Sequence, residues 1–164
     1  REGEQATLVI PGTAQSFADL PAYTPMKVKI KSYVVRTQED LIREFIARNG
    51  YTVTDTQADG LRYIRLQAGT GEIPAQGKVV KIKYTGRFLS SKAFDGNMAR
   101  TDSLSVTIGG TQTVPGFQMG IEKMRLGEKA VIVFPSALGY GVNGNSSIPG
   151  YTPLSFEIYV AKIE

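Results

Sequence analysis

Apolar and polar residues alternate along much of this chain, in short runs separated by glycine and proline. In the run 79–89, Val80, Ile82 and Tyr84 alternate with polar residues, as expected for a β-strand that buries one face. Strands are predicted on this basis at 3–10, 26–35, 61–66, 79–89, 104–108, 129–134 and 154–163. The turn residues between them predict a mainly antiparallel sheet, on which Tyr84 and Phe156 point inward together.

Two segments have helical periodicity instead. Thr37 followed by Asp40 resembles a capping box, and the apolar residues after it share one helical face, which predicts a short amphipathic helix at 37–49. The segment 114–124 is the second candidate, because Pro115 suits the first turn of a helix. Strands and helices together predict the α+β class.

One phrase occurs twice along the chain. GEQATLVIP at 3–11 returns as GEKAVIVFP at 127–135, and PAYTPMKVKI at 21–30 returns as PGYTPLSFEI at 149–158. The offset between the copies is the length of a small domain, which is too long for a solenoid repeat. We therefore expect the chain to open with the end of an earlier domain copy.

The composition excludes several kinds of chemistry. The chain has no cysteine and no histidine, which removes thiol nucleophiles, histidine bases and the usual ligands of zinc, copper and non-haem iron. We predict no cofactor and no metal site. The net charge of +4 is spread along the chain, and the basic run Lys27, Lys29, Lys31 alternates with apolar residues, as one side of a strand does. Neither nucleic-acid binding nor a membrane-spanning segment is predicted.

From about Gly60 onward the chain resembles the FKBP-type peptidyl-prolyl cis/trans isomerases, the rapamycin-binding immunophilins. Six short motifs carry the resemblance, in the order of the family: YTG at 84–86, FD at 94–95, IGG and VPGF within 108–117, GEKA at 127–130, GYG at 139–141, and IP with L.F within 148–156. The resemblance implies an FKBP-like antiparallel half-barrel sheet wrapped on one short helix, with an apolar pocket between them.

The resemblance and the repeat together imply a tandem FKBP-like protein. Residues 1–35 are then a C-terminal fragment of a degenerate FKBP-like domain, 36–58 an amphipathic helix and linker, and 59–164 the isomerase domain. The first copy keeps the apolar strand positions but has Ser16 where the second has Tyr140. We therefore expect activity in the second copy alone.

The pocket residues follow from the matching motif positions. The resemblance implies that Phe94, Asp95 and Tyr140 are catalytic, and that the Tyr140 hydroxyl and the Val114 backbone amide donate hydrogen bonds to substrate carbonyls. The implied substrate-binding residues are Tyr84, Phe94, Leu104, Val114, Phe117, Ile148 and Phe156, with Phe117 as the floor beneath the prolyl ring.

Simpler interpretations of these residues remain open at this point. Inward-facing Tyr84 and Phe156 could be ordinary core, and Asp95 before a glycine could initiate a turn. Tyr140 between two glycines is less easily explained as core, because loops on rigid scaffolds often carry binding groups.

Two positions depart from the family pattern. Phe117 stands where the family usually has tryptophan, and Thr113 stands where an apolar residue is usual. The smaller floor predicts weaker binding of macrolide inhibitors and modest catalysis.

The expected function is peptidyl-prolyl isomerisation that assists protein folding; the alternative is a non-catalytic chaperone or peptide-binding module that uses the same groove. Expected partners are proline-containing polypeptide clients, macrolides of the rapamycin class, and a second copy of the chain through residues 1–50. Arg1 is not a natural first residue, so we expect an upstream segment. An extracytoplasmic location, in the periplasm or anchored at the outer membrane, is favoured for such a tandem protein.

Overall fold

The computed structural model describes the backbone of strands Ala6–Ile10 and Met26–Ile30 and all of residues 36–164. The chain divides into two compact units, Arg1–Arg36 and Thr37–Glu164. The predicted strand residues 3–5 and 31–35, and the position of Ser16, lie outside the described residues.

In the first unit, β1 (Ala6–Ile10) pairs with β2 (Met26–Ile30) as an antiparallel ribbon, with Leu8 opposite Val28. The repeat maps these two positions onto Ile132 and Phe156, which are also directly opposite each other. The other repeated positions agree in the same way: Ala6 opposite Ile30 corresponds to Ala130 opposite Ile158, and Ile10 opposite Met26 corresponds to Phe134 opposite Leu154. The two copies of the phrase therefore share one strand register.

The second unit holds two α-helices, a short 3₁₀ turn and a seven-stranded sheet. Its elements are α1 (Gln38–Arg48), β3 (Asp55–Thr56), β4 (Arg62–Gln67), β5 (Val79–Phe88), β6 (Ala93–Gly96), β7 (Leu104–Thr107), α2 (Pro115–Ile121), β8 (Lys129–Phe134), the 3₁₀ turn (Ser136–Leu138) and β9 (Leu154–Ile163). The strand order is β3-β4-β8-β9-β5-β6, and β7 also pairs with β5. All these pairs are antiparallel, so the predicted α+β class and antiparallel sheet are confirmed.

Two strands differ from the sequence prediction. The segment Ala93–Gly96 is a strand, in which Asp95 lies opposite Gly86, and the interpretation of Asp95 as a turn residue is wrong. Within the predicted linker, Asp55–Thr56 pairs with the start of β4. Strands this short are too brief for an alternating pattern to be recognised.

One face of the sheet packs on α2. Its core includes Ile82, Ile132, Phe134, Ile158 and Phe156. Two glycines of α2 let the helix lie close to β8: a Cβ at Gly116 would lie 2.6 Å from the Phe134 ring, and a Cβ at Gly120 would lie 2.7 Å from Ile132. The helix is shorter than the predicted 114–124, because it ends at Ile121 and continues as turns.

The opposite face of the sheet packs on α1. Ile42 and Phe45 of this helix are buried against Ile64, Val131 and Val133. The predicted helix 37–49 is confirmed within one residue at each end, and its predicted capping box is present. Helix α1 is therefore part of the second unit and covers a sheet face that would otherwise expose three branched apolar side chains.

A buried carboxylate joins β4 to the turn that precedes β8. Glu128, which is fully buried, accepts hydrogen bonds from the Tyr63 hydroxyl at 2.6 Å, the Arg65 guanidinium at 2.8 Å and the Arg125 amide at 3.0 Å. Burial acts to raise the pKa of Glu128, but these hydrogen bonds outweigh it and hold the pKa below its usual range. Burial and the bond to Glu128 also raise the pKa of Tyr63.

The packing of α1 predicts a large effect of Phe45→Ala. Phe45 is 4% exposed, so its truncation leaves a cavity, and we expect the free energy of unfolding to fall by about 3–5 kcal/mol. Arg43 on the same helix is exposed and forms surface ion pairs with Glu39 and Asp40, so Arg43→Ala should change the free energy of unfolding by less than about 0.5 kcal/mol. Urea unfolding followed by circular dichroism measures both. Equal effects would contradict the docking of α1.

The Glu128 network predicts a specific acid dependence. Because the pKa of Glu128 is lowered by folding, its contribution is present above the ordinary value of 4.5 and is lost as the pH falls through the lowered value. We expect urea unfolding to show a smaller loss of stability from about pH 5 to pH 3 in Glu128→Gln than in the native chain. Glu157→Gln, which removes a surface pair with Lys129, is the matched control. Identical pH profiles for all three chains would show that the network does not act in this way.

Candidate active site

A cavity of about 420 Å³ opens on the side of the sheet that carries α2. Residues from β5, β6, β7, β9, α2 and two loops line it: Tyr84, Asp95, Leu104, Thr111, Gln112, Thr113, Val114, Phe117, Tyr140 and Phe156. Its walls are mixed, with aromatic rings at the base and hydroxyl and amide side chains on one side.

Most of the predicted site residues meet at this cavity. Those on its wall are Tyr84, Asp95, Leu104, Val114, Phe117, Tyr140 and Phe156. Phe94 and Ile148 are not among the lining residues: Phe94 packs against the ring of Phe156, and Ile148 is a core residue that is 2% exposed. Phe94 thus supports the wall from behind Phe156, and Ile148 belongs to the same hydrophobic core as Phe117 and Phe156.

Phe156 is the centre of the aromatic base. Its ring centroid lies 4.9 Å from that of Phe117, 5.6 Å from Phe94, 5.7 Å from Phe134 and 6.4 Å from Tyr84. The contacts with Phe117 and Phe94 are edge-to-face, an arrangement that ring quadrupoles favour. Because the Phe156 ring contacts four other rings, it cannot rotate freely, and the base of the cavity presents a fixed apolar surface.

The glycine of the YTG motif makes room for this packing. A Cβ at Gly86 would lie 2.8 Å from both the Phe156 and the Phe94 rings. Any larger side chain would therefore push the aromatic base apart.

Tyr84 of β5 and Asp95 of β6 form a hydrogen-bonded polar pair on the cavity wall. The Tyr84 hydroxyl donates to Asp95 Oδ2 at 2.7 Å, and Asp95 Oδ1 accepts from the Gly96 amide at 2.8 Å. Burial raises the pKa of Tyr84, and the hydrogen bond to Asp95 raises it further. Tyr84 is thus part of the core and of the cavity wall at once.

Tyr140 faces the same cavity from the loop after β8. Burial raises the pKa of its hydroxyl, and the charge of Asp95 adds to this effect. Among residues 36–164 the Tyr140 hydroxyl has no hydrogen-bond partner, so it is a neutral donor available to a ligand. The Val114 amide, at the N-cap of α2, is likewise without a backbone partner in the described part of the chain.

Sequence reasoning missed the polar side of the cavity. Thr111 and Gln112 were not predicted, and Thr113 was noted only as a departure from the family. The sequence does contain a signal that could have located them. These residues lie in the segment between Gly110 and Pro115, the first residue of α2, and this segment must run past the cavity if Phe117 forms its floor.

Within the described residues, no cluster of three acidic side chains could hold a metal ion. The same part of the chain has no helix with the length and hydropathy needed to cross a membrane.

Comparison with known proteins identifies the family. The family model of the FKBP-type peptidyl-prolyl cis-trans isomerases matches residues 70–161. The chain belongs to this family. An FK506-binding protein of Neisseria meningitidis serogroup B is 33% identical over 105 residues, which are 63% of this chain and 96% of that protein.

Longer FKBP-type relatives match as well. The isomerase FkpA of Aeromonas hydrophila is 32% identical over 123 residues, 74% of this chain and 45% of that protein. The crystal structure of FkpA from Escherichia coli has a TM-score of 0.67 and 28% identity, and the match covers 77% of this chain and 57% of the FkpA chain. The chain thus spans about half the length of the FkpA proteins and nearly all of the Neisseria relative.

The cavity geometry predicts that Asp95 influences two phenols. In Asp95→Asn the negative charge is gone, so the pKa values of Tyr84 and Tyr140 should fall toward the ordinary tyrosine value of 10.0. NMR titration of isotope-labelled tyrosine resolves each phenol. Asp59→Asn, which changes an exposed carboxylate outside the cavity wall, should leave both unchanged. A Tyr140 titration that is the same in Asp95→Asn and the native chain would contradict the arrangement.

Proposed function

We propose that this chain is a peptidyl-prolyl cis/trans isomerase that acts on Xaa-Pro bonds in unfolded or flexible protein segments. One observation carries the proposal: a rigid aromatic floor and two donors without a hydrogen-bond partner among residues 36–164, the Tyr140 hydroxyl and the Val114 amide, border the same cavity. Membership of the isomerase family supports it.

The reaction needs no nucleophile. The barrier to rotation is about 18–20 kcal/mol because the planar amide loses resonance as it twists. The twisted amide has less charge separation than the planar one, so an apolar surface binds it better than the ground state. Such differential binding lowers the barrier, which suits a site without histidine or cysteine.

The proposed roles follow from position. Phe117 and Phe156 hold the prolyl ring, while Tyr140 and the Val114 amide bind carbonyls on either side of the rotating bond. Asp95 orients Tyr84 on the facing wall. Phe94 acts behind Phe156 by keeping its ring in place.

Tyr140→Phe tests this assignment. Loss of one substrate hydrogen bond should lower kcat/KM for an Xaa-Pro peptide by about three- to tenfold, measured by NMR exchange between the cis and trans peptides. Tyr151→Phe changes a tyrosine that is 66% exposed and is the control, expected to equal the native chain. A native chain no faster than the uncatalysed peptide would refute the proposal.

The second candidate is a peptide-binding module without catalysis. The polar side of the cavity favours it, because the Thr111 hydroxyl and the Gln112 side-chain nitrogen can bond to an extended backbone in addition to the apolar floor. The Gln112 side-chain oxygen already accepts from the Thr107 amide, and the Thr113 hydroxyl donates to Gln118. This module would bind the peptide, measured by fluorescence anisotropy, without accelerating its exchange.

We also propose that residues 1–35 are the end of a degenerate FKBP-like copy, which the shared strand register supports. Rapamycin-class macrolides are proposed ligands of the cavity, and relatives carry the name FK506-binding protein. Assistance to protein folding, self-association through residues 1–50 and the extracytoplasmic location stay predictions.

A further inference from the structure

Helix α1 is linked to the loop that carries Tyr140. The side-chain oxygen of Gln38 accepts from the Ser136 amide at 2.7 Å, and its side-chain nitrogen donates to the Ser136 hydroxyl at 3.0 Å. These two residues are 98 positions apart in the chain. Two bonds between one pair of residues restrain both distance and orientation, which a single bond does not.

Ser136 is in turn the anchor of the Tyr140 loop. It is 5% exposed, and its carbonyl accepts from the Gly139 amide at 2.9 Å and the Gly141 amide at 2.8 Å. These glycines flank Tyr140 directly, and glycine gives a backbone more conformational freedom than any other residue. Ser136 therefore restrains the two residues on either side of Tyr140, together with the bonds from the Gly144 amide to the Tyr140 carbonyl and from the Tyr151 amide to the Gly141 carbonyl.

Gln38 belongs to a helix that is packed firmly on the sheet. It is the first residue of α1, whose Ile42 and Phe45 are buried on the sheet. The next residue, Glu39, pairs with Arg62 of β4 at 2.8 Å. The restraint on Ser136 is therefore transmitted from the packed sheet, not from a loose surface side chain.

We propose that Gln38 is a positioning residue for catalysis: through Ser136 it holds the Tyr140 hydroxyl where the substrate carbonyl binds. The proposal rests on the proposed function. Gln38 lies outside the segment 70–161 that matches the family model, so this restraint comes from a helix that precedes that segment.

Gln38→Ala is the test variant. We expect kcat/KM for the Xaa-Pro peptide to fall about three- to tenfold, while hydrogen exchange at the Gly139 and Gly141 amides becomes faster as the loop opens more often. In Gln38→Glu, kcat/KM and the exchange rates of the two glycine amides should return to the native values, because a carboxylate can accept from the amide and from the hydroxyl of Ser136.

Val160→Ala is the control for stability. Val160 is a buried core residue of β9 that does not line the cavity, so its truncation should lower Tm yet leave kcat/KM and the exchange of the two glycine amides unchanged well below Tm. If Val160→Ala changed kcat/KM and the exchange of these amides as Gln38→Ala does, Gln38 would contribute only to stability and the proposal would fail.

Two further outcomes are decisive. Unchanged exchange at Gly139 and Gly141 in Gln38→Ala would overturn the restraint, and faster exchange with unchanged kcat/KM would overturn its role in catalysis. A native chain without isomerase activity would refute the proposed function instead, and the exchange measurement would still decide whether Gln38 holds the loop.

Discussion

The burial of β8 on both faces is the constraint on which the rest of the second unit depends. Ala130, Ile132 and Phe134 face the core that α2 covers, while Val131 and Val133 face α1. One strand thus supports the helix that carries the cavity floor and the helix that carries Gln38. After β8 the chain passes through Pro135 to Ser136, so the same strand also sets the starting point of the Tyr140 loop.

The site that this scaffold presents works without a reactive side chain. Its phenols stay neutral, because burial and the charge of Asp95 raise the pKa values of Tyr84 and Tyr140. Neutral donors and fixed rings suit a reaction in which an amide twists and no bond breaks. Packing precision therefore replaces acid-base chemistry, and the glycines at 86, 116 and 120 permit that packing by letting rings and helix approach closely.

Long strands were well predicted, since β5, β8 and β9 have enough residues for their hydrophobic pattern to be clear. Helix α1 was also predicted, because its cap and its apolar face agree. The strand at Ala93–Gly96 was missed, because four residues show too little alternation to outweigh the turn preference of Asp95 before glycine. The positions of Phe94 and Ile148 beside the cavity, and of Thr111 and Gln112 on it, depend on how rings and loops pack.

The sequence by itself determined the repeated phrase, the family, the absence of histidine and cysteine, and the aromatic composition of the cavity, because these are properties of residue type and order. Only the tertiary structure decided that Tyr84 bonds to Asp95, that the Tyr140 hydroxyl has no hydrogen-bond partner among residues 36–164, and that Gln38 reaches Ser136. The Gln38–Ser136 pair joins residues 98 positions apart in the chain, and the Tyr84–Asp95 pair depends on the register between β5 and β6. Both depend on how the elements are placed against each other, and no local pattern encodes that placement.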